Sequence, residues 1–199
     1  DFFFKVSVRD EAGNLTTESN GNRCFPLRLD SSCPFDDKLE PPVEGWTHAA
    51  AVGADTWSVG TSNRAHSPTH VWVGKDADAL LDASLMTPAF DVTKGAELSF
   101  WHTFAFEEGR DGAVLEISTN GGATWTDLEP NITEGGYNGF IFDLDAGFRR
   151  AWTGGRIGAM TRVSARLADF AGAGRQARFR ILCDDSVTAQ GWFLDDVSV

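Results

Sequence analysis

The chain has 199 residues, a formal net charge of −12 and a hydrophobic content of 42%. No basic stripe offsets the acid excess, so the sequence argues against a nucleic-acid partner. No apolar run reaches the roughly eighteen residues of a membrane span, and no charged-then-apolar leader is visible. The length fits one large domain with a sizeable core, or one domain with part of another.

The residue types favour β-structure. Seven Trp, fifteen Phe and twenty-one Gly residues occur with few helical patterns, which predicts strands joined by tight turns. The acidic surface also suits hard cations such as calcium. Cys24 and Cys33 lie nine positions apart in a turn-rich stretch, and we predict that they form a disulfide. Cys183 is expected to be a buried strand residue.

The first two dozen residues read as two strands around a turn. "FFFKVSVRD" alternates, "EAGN" has turn chemistry, and "LTTES" resumes with β-branched residues. This phrasing resembles the last hairpin of a fibronectin-III or immunoglobulin-like module. We therefore assign residues 1–30 to the end of such a module and a linker.

From residue 31 onward, strand-sized runs alternate with turns. The clearest hairpin has Asn120-Gly121-Gly122 as its turn and Trp125 after it. The number and spacing of the strands predict an all-β jelly-roll sandwich over residues 31–199. The segment "RVSARLADFAG" fits either a short helix or a strand followed by a turn. The predicted strands are "HVWVG", "LMTPAFDV", "AELSFWHTFAF", "AVLEISTNGGATWTDL", "QARFRILCDD" and "GWFLDDVSV".

The last of these runs carries two adjacent aspartates. Simple alternation places Asp195 on the same face as Phe193, Val197 and Val199, where an unpaired charge is very costly. Asp195 therefore needs a partner. The residues leave three possibilities: a cation, an arginine such as Arg178 or Arg180, or backbone N–H groups.

Seven motifs together carry a resemblance to a known class of domain. They are similar to jelly-roll domains near the C-termini of secreted bacterial metallopeptidases of the immune-inhibitor-A type. More distantly they resemble MAM domains and reelin subrepeats. The resemblance spans about residues 33–199 and rests on "FDD…GW", "LMTPAFDV", "LSFWHTFAFEEGRDGAVLEISTNGGATW", "YNG", "RRAWTGG", "ARFRILCDD" and "GWFLDDV", in that order.

The resemblance implies a structural calcium ion between the first strand and the last. The matching acids are Asp36 and Asp37 in "FDD", and Asp195 with Asp196 in the last strand. Calcium takes six to eight oxygen ligands, so further oxygens must contribute. The alternative is that Asp195 caps backbone N–H groups or pairs with an arginine.

Catalytic patterns are weak in this sequence. Glu107, Glu108 and Asp111 in "FEEGRDG" suggest paired carboxylates of a glycoside hydrolase, but a strand end and turn explain them equally well. His66 and His70 share the spacing of a zinc-binding helix pair, yet Pro68 opposes a helix there. No serine lies in a GxSxG turn.

The segment 137–152 is the most suggestive of binding. We interpret it as a long Gly-flanked connection and predict ligand contacts from Tyr137, Arg149, Arg150 and Trp152, since aromatics and arginines dominate binding hot spots. The alternative is that its aromatic residues fold inward and pin a loop to the sandwich.

The sequence therefore predicts a non-catalytic, calcium-stabilised accessory domain of a secreted or cell-surface bacterial multidomain protein, a peptidase. Its expected partners are a protein or glycan ligand and the neighbouring domains of the parent chain, with spacing as another role. The alternatives are a glycoside hydrolase that uses Glu107 and Asp111, or a purely structural stabiliser of a neighbouring catalytic domain.

Overall fold

The computed structural model describes residues 6–9, 15–18, 35–40, 42, 44–143 and 147–199. Cys24 and Cys33 lie outside the described residues, so their disulfide stays a prediction. The boundary near residue 30 also stays a prediction. Strand β1 (Val6–Arg9) pairs antiparallel with β2 (Leu15–Glu18), which agrees with the hairpin expected there.

The predicted all-β sandwich is confirmed: two antiparallel sheets stack face to face. One sheet has the order β13-β14-β10-β16-β7-β4, with β11 beside β10 and β8 beside β16. Its strands are β4 (Thr47–Val52), β7 (Leu81–Met86), β8 (Phe90–Val92), β10 (Gly112–Ser118), β11 (Thr126–Asp127), β13 (Gly139–Asp143), β14 (Gly147–Thr153) and β16 (Gly172–Cys183).

The second sheet has the order β12-β15-β9-β17-β6-β5, with β3 beside β17. Its strands are β3 (Asp36–Asp37), β5 (Trp57–Thr61), β6 (His70–Gly74), β9 (Glu97–Ala105), β12 (Ile132–Glu134), β15 (Thr161–Arg166) and β17 (Gly191–Ser198). Two short 3-10 turns cover Glu129–Asn131 and Ala168–Phe170. The segment that fitted a helix or a strand is thus a strand followed by a turn. Among the described residues, no helix is long and apolar enough to cross a membrane.

Aromatic rings from both sheets form the centre of the core. Phe100 of β9 packs edge-on against Phe179 of β16 at 5.1 Å, and Trp152 of β14 lies 5.5 Å from Trp192 of β17. All four side chains are almost fully buried. Burial of a large apolar side chain contributes about 1.5–3 kcal/mol, so these rings are a large part of what holds the two sheets together.

Strand β17 contains a β-bulge that the alternation pattern did not reveal. Asp195 pairs with Trp101, but Ser198 pairs with Ser99, so β17 has one extra residue against β9. Asp196 has a φ of 49°, the left-handed conformation in which such an extra residue is accommodated. The alternation predicted beyond Asp195 is therefore wrong: Val197 is buried in the hydrophobic core instead of sharing a face with Asp195.

The segment expected to be a long connection is a β-hairpin formed by β13 and β14. β14 pairs with β10 at two positions, Gly112 with Thr153 and Ala113 with Trp152. The hairpin then folds across the outer face of the sheet. This placement follows from Asp143 of β13, which accepts a hydrogen bond of 3.2 Å from Arg180 of β16, although β14 and β10 separate the two strands in the sheet order.

Candidate functional site

Asp195 binds the loop that precedes β6. Its Oδ2 accepts hydrogen bonds from the backbone N–H groups of His66 (2.7 Å) and Ser67 (3.0 Å). Its Oδ1 accepts from the Asp196 N–H (2.8 Å) and the Ser67 hydroxyl (3.2 Å). Burial raises the pKa of Asp195 even though these donors oppose the shift. The partner of this buried charge is thus a set of N–H and O–H donors, and no arginine is among them.

The other three predicted calcium ligands lie near the same strand end, because β3 pairs with β17. Asp37 accepts hydrogen bonds from Leu39 N (2.8 Å) and Trp46 Nε1 (2.6 Å). Asp36 is exposed and lies 3.5 Å from the Lys38 ammonium group. Asp196 contacts the His66 ring at 2.5 Å through Oδ2, while its buried Oδ1 has no hydrogen-bond partner and lies 3.9 Å from the Lys38 ammonium group.

N–H and O–H donors thus already occupy the carboxylates of Asp37 and Asp195. A cation at this end of β17 would have to displace several of these donors. The calcium site at Asp36, Asp37, Asp195 and Asp196 stays a prediction.

Tyr137 and Trp152 are buried, with exposed fractions of 5% and 1%. The Tyr137 hydroxyl accepts a hydrogen bond from Leu115 N (2.8 Å) and donates one to Asp127 (3.0 Å). Trp152 Nε1 donates to the Gly135 carbonyl (2.9 Å). This arrangement agrees with the alternative that these aromatic residues pin the segment to the sandwich, and ligand contact by them stays a prediction.

Arg149 lies in a network of charges beneath the hairpin. It donates to Asp143 (2.9 Å), Asp127 (2.5 Å) and Glu116 (3.2 Å). Burial lowers the pKa of Arg149, but the surrounding carboxylates outweigh burial and raise it above its usual range. The network continues through Arg178, which contacts Glu116. The network fixes the hairpin over the sheet.

Arg150 lies on the opposite face of β14 and is half-exposed. It donates to Glu129 (3.0 Å) and to the Tyr137 carbonyl (2.8 Å), and its guanidinium stacks 5.1 Å from the Phe140 ring centre. Its guanidinium is therefore largely engaged within the protein. Ligand contact by Arg149 and Arg150 also stays a prediction.

A cleft of about 490 Å³ opens between the β13–β14 hairpin and the loops beside β4, β7, β10 and β16. We call it the hairpin cleft. Its volume lies in the range of small-molecule and short-oligomer binding sites. It is lined by Val52, Leu80, Leu81, Asp82, Gly109, Arg110, Phe142, Asp143, Phe148, Arg180, Leu182, Cys183 and Asp184.

The walls of the hairpin cleft are unusually apolar for a surface. Seven large hydrophobic side chains are exposed among the described residues, and four of them line the cleft: Val52, Leu80, Phe142 and Phe148. The rings of Phe142 and Phe148 meet edge to face at 5.4 Å and are 54% and 79% exposed. Exposed aromatic rings that gather in one concave place are typical of a binding site.

The floor of the hairpin cleft is charged. Arg180 donates two parallel hydrogen bonds of 2.7 Å to the two oxygens of Asp82. Arg110 and Asp184 lie at one end, 4.0 Å apart, and the Arg110 side chain is largely exposed. The cleft therefore offers aromatic faces, a fixed carboxylate–guanidinium pair and a solvent-exposed guanidinium to one ligand.

Interpreting "GFIFDLDAGFRRAW" as two strands around a turn would have identified Phe142 and Phe148, which form the aromatic wall of the hairpin cleft. Alternation on both sides of a turn places Phe142 and Phe148 on one face of the hairpin and Arg149 on the other. Nothing in the sequence signals Val52 and Leu80, because they reach the cleft through the tertiary fold.

Comparisons with known proteins support the fold. The K1 cleaved adhesin domain of Lys-gingipain from Porphyromonas gingivalis W83 is similar over 83% of this chain and 96% of that one, with 18% identity and a TM-score of 0.54. The K2 cleaved adhesin domain of Lys-gingipain covers 83% and 98%, with 16% identity and a TM-score of 0.52. At these identities the likeness concerns the fold alone.

A third structure, TmCBM61 in complex with β-1,4-galactotriose, covers 77% of this chain and 86% of that one, with 14% identity and a TM-score of 0.46. At that score the likeness carries no argument about this chain. No protein-family profile and no curated protein sequence matches the chain.

Proposed function

We propose that this chain is a non-catalytic binding domain, accessory to a larger secreted or cell-surface bacterial protein, a peptidase, and that it binds a glycan in the hairpin cleft. The observation that carries the proposal is the exposed pair of Phe142 and Phe148 above the charged floor of the cleft. The proposal includes one structural calcium ion, as the resemblance implies.

The chemistry of the cleft favours a saccharide. A sugar ring presents C–H faces that pack on aromatic rings, and hydroxyl groups that donate and accept hydrogen bonds at once. The Arg180–Asp82 pair offers donors and acceptors side by side, and the exposed Arg110 adds further donors. The similar folds named as adhesin domains of Lys-gingipain support a binding role within a larger chain.

The placement of Asp111 favours the non-catalytic reading over a glycoside hydrolase. Asp111 has no exposed surface. A catalytic carboxyl group must touch the glycosidic oxygen or the anomeric carbon, and a sealed side chain does not reach either. We expect no turnover of polymeric glycans. Turnover that Glu107→Gln abolishes would establish the hydrolase instead.

The binding proposal is tested on the aromatic wall with a matched control. Glycan-array screening of the wild-type protein identifies a ligand, and calorimetry then compares Phe148→Ala with Phe140→Ala. Both residues lie on the same hairpin and are exposed, but Phe140 packs under Arg150 and does not line the cleft. We expect Phe148→Ala to weaken binding by about 1–2 kcal/mol, roughly five- to thirtyfold, and Phe140→Ala to change it less than about twofold.

Two results would contradict the proposal. Equal losses in both variants would place the ligand outside the hairpin cleft. A folded wild-type protein that binds no glycan on the array would favour a protein ligand, or the purely structural role in stabilising a neighbouring domain.

A further inference from the structure

Three acidic side chains that are far apart in the sequence meet beside the hairpin cleft. Glu107 follows β9, Asp111 precedes β10, and Asp184 follows β16. One carboxylate oxygen from each lies within 4.8 Å of the others. The Arg110 and Asp111 N–H groups both donate to the Glu107 carbonyl, at 3.2 and 3.0 Å, and this turn holds two of the three acids in place.

Asp111 is the buried member of this group and is only half satisfied. Its side chain has no exposed surface, and its Oδ1 accepts one hydrogen bond, from Asp184 N (2.7 Å). Its Oδ2 accepts from no N–H or hydroxyl donor. The Asp76 carboxyl group hydrogen-bonds to the Asp111 side chain, which requires a proton between the two acids. Without that proton the buried carboxylate oxygen has no donor, which is costly.

The neighbours of Asp111 increase the cost of its charge. Burial raises the pKa of Asp111 to about 8, and the nearby carboxylates of Asp76 and Asp184 add to the shift. Among the described residues, Arg110 is the cation that forms a salt bridge with this group; it lies 4.0 Å from Asp184 and is largely exposed. The group therefore has no buried positive partner among those residues.

The oxygen atoms of the outer acids already converge. The Ser186 hydroxyl lies 2.7 Å from Asp184 Oδ1 and 3.1 Å from Glu107 Oε2, and so holds them on one side of Asp111. Glu107 and Asp184 are partly exposed, which leaves a route for an ion from solvent. Three carboxylates and a hydroxyl are oxygen ligands of the kind that hard cations prefer.

Cys183, behind this group, does not change the metal preference. Its thiol donates a hydrogen bond of 2.9 Å to Asp76 Oδ1, and burial raises its pKa well above the usual range. Asp76 also accepts from Ala77 N and Ala189 N, at 2.8 Å each. The thiol is not one of the three side chains that converge, and the oxygen atoms of those three are ligands that hard cations prefer.

We propose that Glu107, Asp111 and Asp184 bind one calcium ion, with the Ser186 hydroxyl, backbone oxygens or water completing its shell. This site is separate from the acids at the end of β17, where hydrogen-bond donors already occupy Asp195. The proposal does not depend on what the hairpin cleft binds.

The test is a thermal melt of chelator-treated protein with calcium or magnesium added back. A ligand that binds only the folded state raises the melting temperature, by roughly 5–10 °C for a chain of this size at a hundredfold excess over Kd. Magnesium should act more weakly, because it requires a tight octahedral shell and retains its waters. Calorimetry should find one calcium ion for this site.

Variants locate the site. Asp111→Asn and Glu107→Gln should each abolish the calcium response, and Glu107→Gln, at a partly exposed position, guards against failure to fold. Glu108→Gln is the matched control, because Glu108 lies in the same turn but outside the group, and it should respond like the wild type. Asp196→Asn should also keep the response.

Loss of the response in Asp196→Asn with retention in Glu107→Gln would place the ion at the end of β17 and overturn the proposal. A wild-type protein whose melting temperature ignores calcium would overturn it as well.

Discussion

Asp195 and Asp111 are both aspartates with no exposed surface, yet their surroundings are opposite. Asp195 accepts hydrogen bonds from two loop N–H groups, a hydroxyl and its following N–H. Asp111 accepts one from an N–H group, its other oxygen has no such donor, and its side chain adjoins the Asp76 carboxyl group. Burial raises the pKa of both carboxyl groups, so burial alone does not tell their roles apart.

The number of hydrogen-bond donors around each carboxylate distinguishes Asp195 from Asp111. A buried carboxylate that is saturated with N–H donors joins segments of the fold and stabilises them. A buried carboxylate with a free oxygen beside other acids destabilises the fold until a proton or a cation arrives. The first arrangement belongs to the structure of the domain, and the second is the signature of a binding site.

The largest effect should come from Asp195→Ala. This change leaves the partly buried N–H groups of His66 and Ser67 without this acceptor, and each such group costs about 1–3 kcal/mol. We expect the free energy of unfolding to fall by about 3–5 kcal/mol in urea denaturation. The exposed Asp36→Ala should stay within about 0.5 kcal/mol of the wild type. Similar losses in both variants would mean that the loop does not depend on Asp195.

His102 sharpens the comparison, because it is a buried titratable group that contacts no charged side chain among the described residues. Phe100, Phe104, Trp152 and Trp192 surround it, and Trp192 Nε1 donates to its Nδ1 at 3.0 Å. Burial lowers its pKa to about 3. In the unfolded chain His102 therefore takes up a proton near pH 6.5, whereas in the folded chain it stays neutral until the pH approaches 3.

The stability due to neutral His102 is complete above pH 6.5 and is lost as the pH falls towards 3. The loss is about 1.4 kcal/mol per pH unit, or roughly 2 kcal/mol at pH 5. His102→Gln retains a hydrogen-bond acceptor for Trp192 and cannot titrate, so its stability should depend less on pH over this range. Urea denaturation at several pH values measures the free energy of unfolding of both proteins. If it falls equally with pH in both, His102 is not the group that causes the pH dependence.

The smallest effect should come from Asp111→Asn in calcium-free buffer at neutral pH. The amide retains an oxygen that can accept from Asp184 N, and it resembles the neutral carboxyl group that burial favours at neutral pH. We expect the free energy of unfolding to stay within about 1 kcal/mol of the wild type, or to rise. A loss as large as that of Asp195→Ala would show that Asp111 is part of the structural framework after all.

The sequence predicted the strands well where a local pattern determines them. "AVLEISTNGGATWTDL" forms β10, the glycine turn and β11, because alternation and turn residues act over a few positions. The bulge at Asp196 escaped prediction, since its left-handed conformation leaves no mark on the alternation. The glycines that flank segment 137–152 predict a connection, although its interior alternates as a hairpin does.

The sites were harder to predict than the strands. Asp111 and Asp184 are 73 positions apart and meet through loops whose ends three strands hold in place. The sequence shows Glu107 and Asp111 as a pair of acids, but their burial and the lack of an N–H or O–H donor to Asp111 Oδ2 depend on the packing around them. The partners of Asp195 were even less visible, because backbone N–H groups have no side-chain signature.

The pairing of β3 with β17 has a mechanical consequence. Asp37 pairs with Val197, Asp36 pairs with Ser198, and Val199 N donates to the Phe35 carbonyl at 2.7 Å. Residues 35 and 199 are therefore neighbours. A force that pulls these two residues apart breaks the bonds one after another, and this requires less force than breaking them all at once. The folded sandwich therefore contributes almost no length between residues 35 and 199 when a force acts on those two residues.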